Sequence, residues 1–423
     1  MIHIFDGAMG TMLQAGGLAP GGCPELMNVD HPEVVRGIHE KYIEAGATII
    51  ETNTFGATSL KLEHYHLADK VEELNLAAVK IAKEAAKGAA KVAGSMGPPG
   101  RFIEPLGDLS FDDAYATFYK QAKAMAKGGV DYFIIETCID VQEMRAAILA
   151  AKDADANIPI IAQMTYADDG RTVTGTNPQS AAIILTAMGA SIIGVNCSLG
   201  PEQLVPIVKE LADNTDRPIS VQPNAGMPHL VDGETIFPMD AEEFGTWAEK
   251  LLEAGATYLG GCCGTTPAHI RALAAAVKDL PPAERKSRDN RLRLTSRSKT
   301  VIIDKDLPTT LIGERINPTG RKKLAEEIKN GSLFSVKREA IDQVRAGAHL
   351  LDVNMGVGGI DQAKAMHDAI REVAQITDAP LAIDTSDTKT LEAGLRAYPG
   401  RALINSVSAE KERIEEFLPL AKK

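Results

Sequence analysis

The sequence has no apolar run approaching the roughly 18 to 20 residues of a membrane-spanning helix, and its first residues, MIHIFDGAMG, lack the basic and apolar regions of a secretory signal. Both absences argue against a membrane or secreted protein, and a soluble, cytoplasmic one is expected. Positive charge is also in short supply, with 45 Lys and Arg against 57 Asp and Glu and a formal net charge of -12. That balance repels polyanions, so neither nucleic acid nor an anionic membrane surface is expected as a partner. Cysteine is scarce: five residues, an odd number, with two of them adjacent. Such usage argues against a disulfide framework and suits metal binding by reduced thiols.

What is present is a repeat. A chain of 423 residues predicts two domains, and one pattern recurs along it: a helix-like stretch, a small-residue break, an apolar strand, then polar residues or cysteine. It reads EAGATIIETN from Glu44, KGGVDYFIIETC from Lys127, MGASIIGVNC from Met188, EAGATYLGGCC from Glu253 and RAGAHLLDVN from Arg345. Gly at the break suits a left-handed helix C-cap, and the apolar run suits a strand buried on both faces of a parallel sheet. The first four repeats, with less regular strands at residues 3–5, 91–93, 159–163 and 218–222, make eight strands before residue 280. Eight closes a (β/α)8 barrel of about 250 residues, with its chemistry at the carboxyl ends of the strands. An open doubly wound sheet is the alternative, and no GxGxxG fingerprint supports it.

Residues 281–306 lose apolar periodicity and are crowded with Arg and Lys, which predicts a solvated linker between a first domain, 1–280, and a second, 307–423. In the second, strands at 310–312, 349–351, 381–383 and 402–404 make four βα units, half of another barrel.

Cys197 falls at the end of the sixth strand, and Cys262 and Cys263 just after the eighth. A barrel would raise all three from one face. Adjacent strand residues point to opposite sides, so Cys262 and Cys263 converge only if the strand gives way to an irregular turn, which Gly260, Gly261 and Gly264 permit. Three thiolates suit a zinc ion whose fourth position is left to a substrate thiol; a packing role or a redox dithiol is the alternative. Cys23 and Cys138 read as structural. A second cluster opens the chain: Asp6 ends a strand and is followed by Gly7, Ala8, Met9 and Gly10, small residues able to turn backbone N–H groups toward a carboxylate. With Asp6 and Glu136 offering negative charge to an ammonium group, the face suits an amino acid, although Asp6 could equally be a helix N-cap and Glu136 a partner in an ion pair. Asn53, Thr54 and Asn196 are further strand-end polar groups, open to a binding or a structural role.

Together FDGAMGT at Phe5, ETNTFGA at Glu51, GSMGPPG at Gly94, IETC at Ile135, GVNCSLGP at Gly194 and GGCCGTTPAHI at Gly260 resemble the homocysteine S-methyltransferase family over roughly residues 1–280. The resemblance implies homocysteine as the thiol substrate, zinc on Cys197, Cys262 and Cys263, and an amino-acid end against the DGAMG turn and Glu136. GERINPTG at Gly313, LDVNMG at Leu351, AIDTSD at Ala382 and INSVS at Ile404 resemble the pterin-binding barrel of the cobalamin-dependent methionine synthases. That implies 5-methyltetrahydrofolate as methyl source, with Asp352 or Asp384 on the amino-pyrimidinone edge and Asn317, Asn354 or Asn405 on other polar atoms. Methionine synthases of this type continue into cobalamin-binding modules, and no such segment is seen here. Methylcobalamin is therefore expected on a cobalamin-binding domain or protein elsewhere. The competing expectations are another donor, such as betaine or S-methylmethionine, and a non-catalytic zinc-binding subunit.

Overall fold

All five repeats leave their helix on a glycine in the left-handed region: Gly46 (φ 108°), Gly129 (80°), Gly189 (86°), Gly255 (112°) and Gly347 (100°). A side chain would be strained there, so these glycines stop each helix and turn the chain back along the sheet. In the computed structural model, which describes residues 1–231, 234–284 and 289–423, an apolar strand follows every one of them.

The first strands are β1 (His3–Ile4), β2 (Ile49–Glu51), β3 (Lys91–Met96), β4 (Tyr132–Cys138), β5 (Ile160–Met164), β6 (Ile192–Asn196) and β7 (Ile219–Gln222). After a short antiparallel hairpin of β8 (His229–Val231) and β9 (Glu234–Ile236) comes β10 (Ala256–Leu259). Without the hairpin they form one eight-stranded sheet in the order β1-β10-β7-β6-β5-β4-β3-β2. Its two ends meet. The Thr48 N–H donates to the Ile4 carbonyl at 2.7 Å, the Asp6 N–H donates to that of Ile49 at 3.1 Å, and Phe5 and Ile49 form a parallel bridge. The sheet thus returns on itself as the expected barrel. Phe5, Ile49, Ala93, Ile134, Ile161 and Ile192 form one buried cluster. Residues from so many strands meet only inside the ring, so the interior is filled by side chains. The connecting helices are capped by local sequence: Ser110 accepts the Asp113 N–H at 3.0 Å at the start of Phe111–Gly128.

The later elements begin with β11 (Leu292–Thr295) and β12 (Thr300–Ile303), an antiparallel pair inside the stretch expected to be a bare linker. Leu294 and Val301 bury themselves against Leu350 there; the interleaved basic residues conceal these few apolar positions in the sequence. Then β13 (Ile312–Ile316), β14 (Leu350–Asn354), β15 (Leu381–Asp384) and β16 (Leu403–Asn405) lie side by side in chain order, all parallel. The strand expected at 310–312 sits later, over GERI. Leu311 and Ile312 are 52% and 46% exposed, and Ile316 carries the burial, so apolar content misplaced this edge strand. Helices Phe334–Arg345, Gln362–Ile376 and Thr388–Ala397 cover the sheet through Val336, Ala340, Met366, Ile370 and Leu391. β13 and β16 each have a single neighbour, so this sheet has two edges.

The chain divides into two compact units, Met1–Thr174 with Gly189–Arg288, and Gly175–Met188 with Asp289–Lys423. Among the described residues, no helix is long and apolar enough to cross a membrane.

Candidate metal centre

β6 ends at Asn196, and the next two residues leave the strand in the left-handed region, Cys197 at φ 61° and Ser198 at φ 57°. Non-glycine residues held this way cost of order 1–3 kcal/mol and cluster at functional sites. The Cys197 N–H still donates to the Gln222 carbonyl at 3.1 Å, so the kink begins from a fixed strand end. After β10 the chain stops pairing as a regular strand. The Cys262 N–H donates to the Pro223 carbonyl at 2.8 Å, the Cys263 N–H donates to Asn224 Oδ1 at 3.1 Å, and Gly264 turns through φ 79°. Thr265 Oγ donates to the Cys262 carbonyl at 2.7 Å and occupies the space a Cβ on Gly261 would need. This is the irregular turn expected from the glycines, and it lets both adjacent thiols face Cys197.

The three sulfurs lie within 4.8 Å of one another, with Cys197 and Cys263 at 3.8 Å. A tetrahedral zinc with Zn–S bonds of about 2.3 Å has edges of about 3.8 Å, so the donor set fits zinc in both chemistry and spacing. Hydrogen bonds from Cys262 and then Cys263 hold Cys197 down to about 3. Contacts with Cys197 and Cys263, with burial, push Cys262 well up, and the contact with Cys197, with burial and against an opposing contribution from Cys262, pushes Cys263 up to about 12. A divalent cation reverses that preference by stabilising all three thiolates. Cys23 and Cys138 are buried and outside this group; Cys23 donates to Glu25 at 3.3 Å.

Asn196 joins the sulfurs to a carboxylate. Its Nδ2 donates to Glu136 Oε2 at 3.2 Å and to Thr137 Oγ at 2.8 Å and lies 3.9 Å from Cys262 Sγ, while its Oδ1 accepts the Thr137 N–H at 2.8 Å. Glu136 is 7% exposed, and its Oε1 accepts from Ser95 Oγ at 2.5 Å. Asp6 is buried; its Oδ2 accepts the Glu51 N–H at 2.9 Å and its Oδ1 has no partner. It caps no helix: the helix Met9–Ala15 starts after Ala8, without a side-chain cap. Burial raises the pKa of Asp6 and Glu136, and of Glu51 beside them, with mutual repulsion adding to the shift at Asp6 and Glu51. Two buried acids and the half-buried Glu51, next to three sulfurs, make a cation-seeking mouth. In the turn after Asp6, the Ala8 N–H already donates to Thr265 Oγ at 3.2 Å, and Met9 opens the helix. Asn53 and Thr54 are tied into the loop after β2: Asn53 Nδ2 donates to the Pro24 carbonyl at 2.7 Å and Thr54 Oγ to that of Ser95 at 2.8 Å.

At the ends of β14, β15 and β16 a smaller polar group forms. Asn354 Nδ2 donates to Asp384 Oδ2 at 2.8 Å, and Asn405 Nδ2 donates to Asp352 Oδ1 at 3.1 Å. Asp352 is 3% exposed, its Oδ2 is unpartnered, and burial pushes its carboxyl up to about 6. Asn317 turns instead to Glu314, donating to Oε1 at 2.7 Å.

Four contributors went unseen in the sequence. Glu51, Gln222, Asn224 and Ser95 hold the acids and the cysteine turn: Gln222 Nε2 donates to Glu51 Oε1 at 2.8 Å and Gln163 Nε2 donates to Gln222 Oε1 at 2.7 Å. Their signal was a polar residue at or just beyond the end of an apolar strand.

A ring of parallel strands carries three convergent thiols and buried acids at its mouth, an enzyme-like barrel with a candidate metal site, and residues 3–277 match the homocysteine S-methyltransferase family. The chain belongs to that family. Residues 313–423 match the pterin binding enzyme family. Among curated proteins the chain is similar to methionine synthase of Mycobacterium tuberculosis, 34% identical over 97% of this chain and 36% of that protein, and of Mycobacterium leprae, 33% identical with the same coverage. It therefore spans about a third of those relatives' length. Among solved structures it resembles the homocysteine methyltransferase MmuM of Escherichia coli. The metallated form is 25% identical with a TM-score of 0.56, covering 65% of this chain and 96% of that one. The oxidized form is 26% identical with a TM-score of 0.55, covering 65% and 95%.

Proposed function

We propose that the first unit binds zinc through Cys197, Cys262 and Cys263 and transfers a methyl group to the thiol of homocysteine, giving methionine. The observation that carries this reading is the convergence of three sulfurs within 4.8 Å, coupled through Asn196 to a buried carboxylate. When bound, zinc supplies the positive charge that favours a substrate thiolate over a thiol near neutral pH. The chain's own residues do the rest. Glu136 and Asp6 accept the substrate ammonium, the turn at Ala8 and Met9 faces its carboxylate, and Asn196 fixes the distance between the ammonium and sulfur ends. Asn53 and Thr54 shape the wall beside them.

The likeness to methionine synthases and the pterin-binding match support a larger reaction. In it the methyl group reaches homocysteine from methylcobalamin, carried on a cobalamin-binding domain or protein, and comes originally from 5-methyltetrahydrofolate. The residues for the folate are Asp352, Asn354, Asp384 and Asn405, with Asn317 at the neighbouring strand end. The free cysteines suit a reducing compartment, and we assign the reaction to the cytoplasm. The test is calorimetric: homocysteine added to the zinc form should release close to one proton near neutral pH and add a sulfur to the metal shell in X-ray absorption, and methionine should do neither. Equal homocysteine binding to metal-free protein with no proton release would refute the reading.

A further inference from the structure

The metal centre and its acids leave one buried carboxyl at the same end of the barrel without a task. Glu143 stands in the first turn of the helix Val141–Ala154, directly after β4, and is 5% exposed. The cap of that helix is made by Asp140, whose Oδ1 accepts the Gln142 N–H at 3.1 Å, so Glu143 is not needed for it. Among the described residues the Glu143 carboxyl has neither a hydrogen bond nor an ion pair. Buried acids are rarely left so, because the desolvation is uncompensated.

Glu143 instead lines a cavity of about 170 Å3 between the loop after β3 and the loop after β4. Its other walls are mainly apolar, from Pro98, Phe102, Ile103 and Ile139, with Asp140 beside Glu143. Arg101 also borders it but is committed outward to Asp108, at 2.6 Å. Lys61, the cation whose charge reaches Glu143, makes no ion pair with it, although the end of its side chain, ammonium included, lies against Gly100 on the cavity wall.

These features select a ligand class. An anion would meet two acids. A neutral apolar molecule would leave the carboxyl unpaired. A hard inorganic cation needs six or so oxygen ligands, and this cavity offers two carboxylates among hydrocarbon. We propose that the cavity binds a small organic cation, an ammonium on a short apolar body, with Glu143 as its counter-ion and Phe102 and Ile139 against the apolar part. Burial and the nearby Asp140 push Glu143 up to about 8. Near neutral pH the empty site therefore holds mostly a carboxylic acid, and an arriving cation drives off its proton. This site is independent of the zinc reading, since it uses none of the same residues.

The experiment titrates the full chain with n-butylammonium at neutral pH by calorimetry in two buffers of different ionisation enthalpy. Binding should be accompanied by release approaching one proton, and 1-butanol should bind at least about ten-fold more weakly because it lacks the charge. Glu143→Gln should lose about ten-fold or more in affinity for the cation and abolish the proton release. Ile139→Trp, which fills the cavity and keeps the acid, should abolish binding as well, and it decides the matter if Glu143→Gln fails to fold. No binding of n-butylammonium to the wild-type chain would overturn the proposal. So would equal affinity in a folded Glu143→Gln or Ile139→Trp variant.

Discussion

The mouth of the closed barrel and the strand ends of the four-stranded sheet are built from the same βα unit, yet they assemble polar groups differently. In the sheet, contacts join strand ends at most two places apart: Asn354 opposite Asp384 on the next strand, and Asp352 reaching Asn405 past β15. In the barrel β6 likewise meets the turn after β10 with only β7 between them, so Cys197 and Cys263 touch across 66 positions, but closure also brings β7 round to β2, so Gln222 holds Glu51 across 171. A ring also joins the first strands of the chain to the last; an edged sheet gathers only strand ends within two places of one another.

The largest test of that contrast removes the long-range contact. Replacing both Cys262 and Cys263 by Ala should abolish tight zinc binding, a loss of several kcal/mol on a scale where structural zinc in zinc-finger peptides is worth ~10–16 kcal/mol. Metal analysis after dialysis reads this, and full zinc occupancy in the double variant would end the three-thiolate account. Next comes the acid linked to the sulfurs. Glu136→Gln should weaken homocysteine binding by about 1–3 kcal/mol and leave zinc content unchanged. If calorimetry finds the same homocysteine affinity, Glu136 has only a structural part.

A smaller effect is expected at the cysteine turn. Asn224→Ala removes the acceptor of the Cys263 N–H, and the loosened ligand should lower zinc affinity by about ten-fold, at the lower end for groups that support ligands. Competition with a chromophoric chelator measures it; no change would mean the glycines alone hold the turn. The smallest effect belongs to the sheet. Burial holds Asp352 up at about 6, against about 3.9 in an unfolded chain. Between those values the folded state binds more protons than the unfolded one, so stability falls as pH rises through the window and the penalty is complete above it. Asp352→Asn should therefore stabilise the second unit by about 1 kcal/mol near neutral pH, a figure discounted for solvent access, and by nothing below about pH 4. Urea melts at two pH values would show it, and an equal gain at both would assign the effect to packing instead.

The parts of this molecule that were legible from sequence are those whose physics is local. Gly46, Gly129, Gly189, Gly255 and Gly347 each announce a helix end and a strand, and the structure has both at every one. The convergence of Cys197, Cys262 and Cys263 was readable because the barrel topology followed from the strand count. Glu51 and Asn224 were not, since their meaning lies in partners set by closure and by an irregular turn. β13 was misplaced because an edge strand need not be apolar, and β11 and β12 were missed because two short strands among basic residues leave no periodicity to read.

The kink at Cys197 and the turn at Cys262–Cys263 have a mechanical consequence. A metal held between them would act as a clasp, enclosing β7, the hairpin and β10 in a loop of 66 positions. By loop-closure entropy a cross-link of that span restrains the unfolded chain by about 4 kcal/mol. Chelation would thus unbuckle one side of the ring, and amide exchange in residues 198–261 should quicken before the rest of the barrel feels the loss.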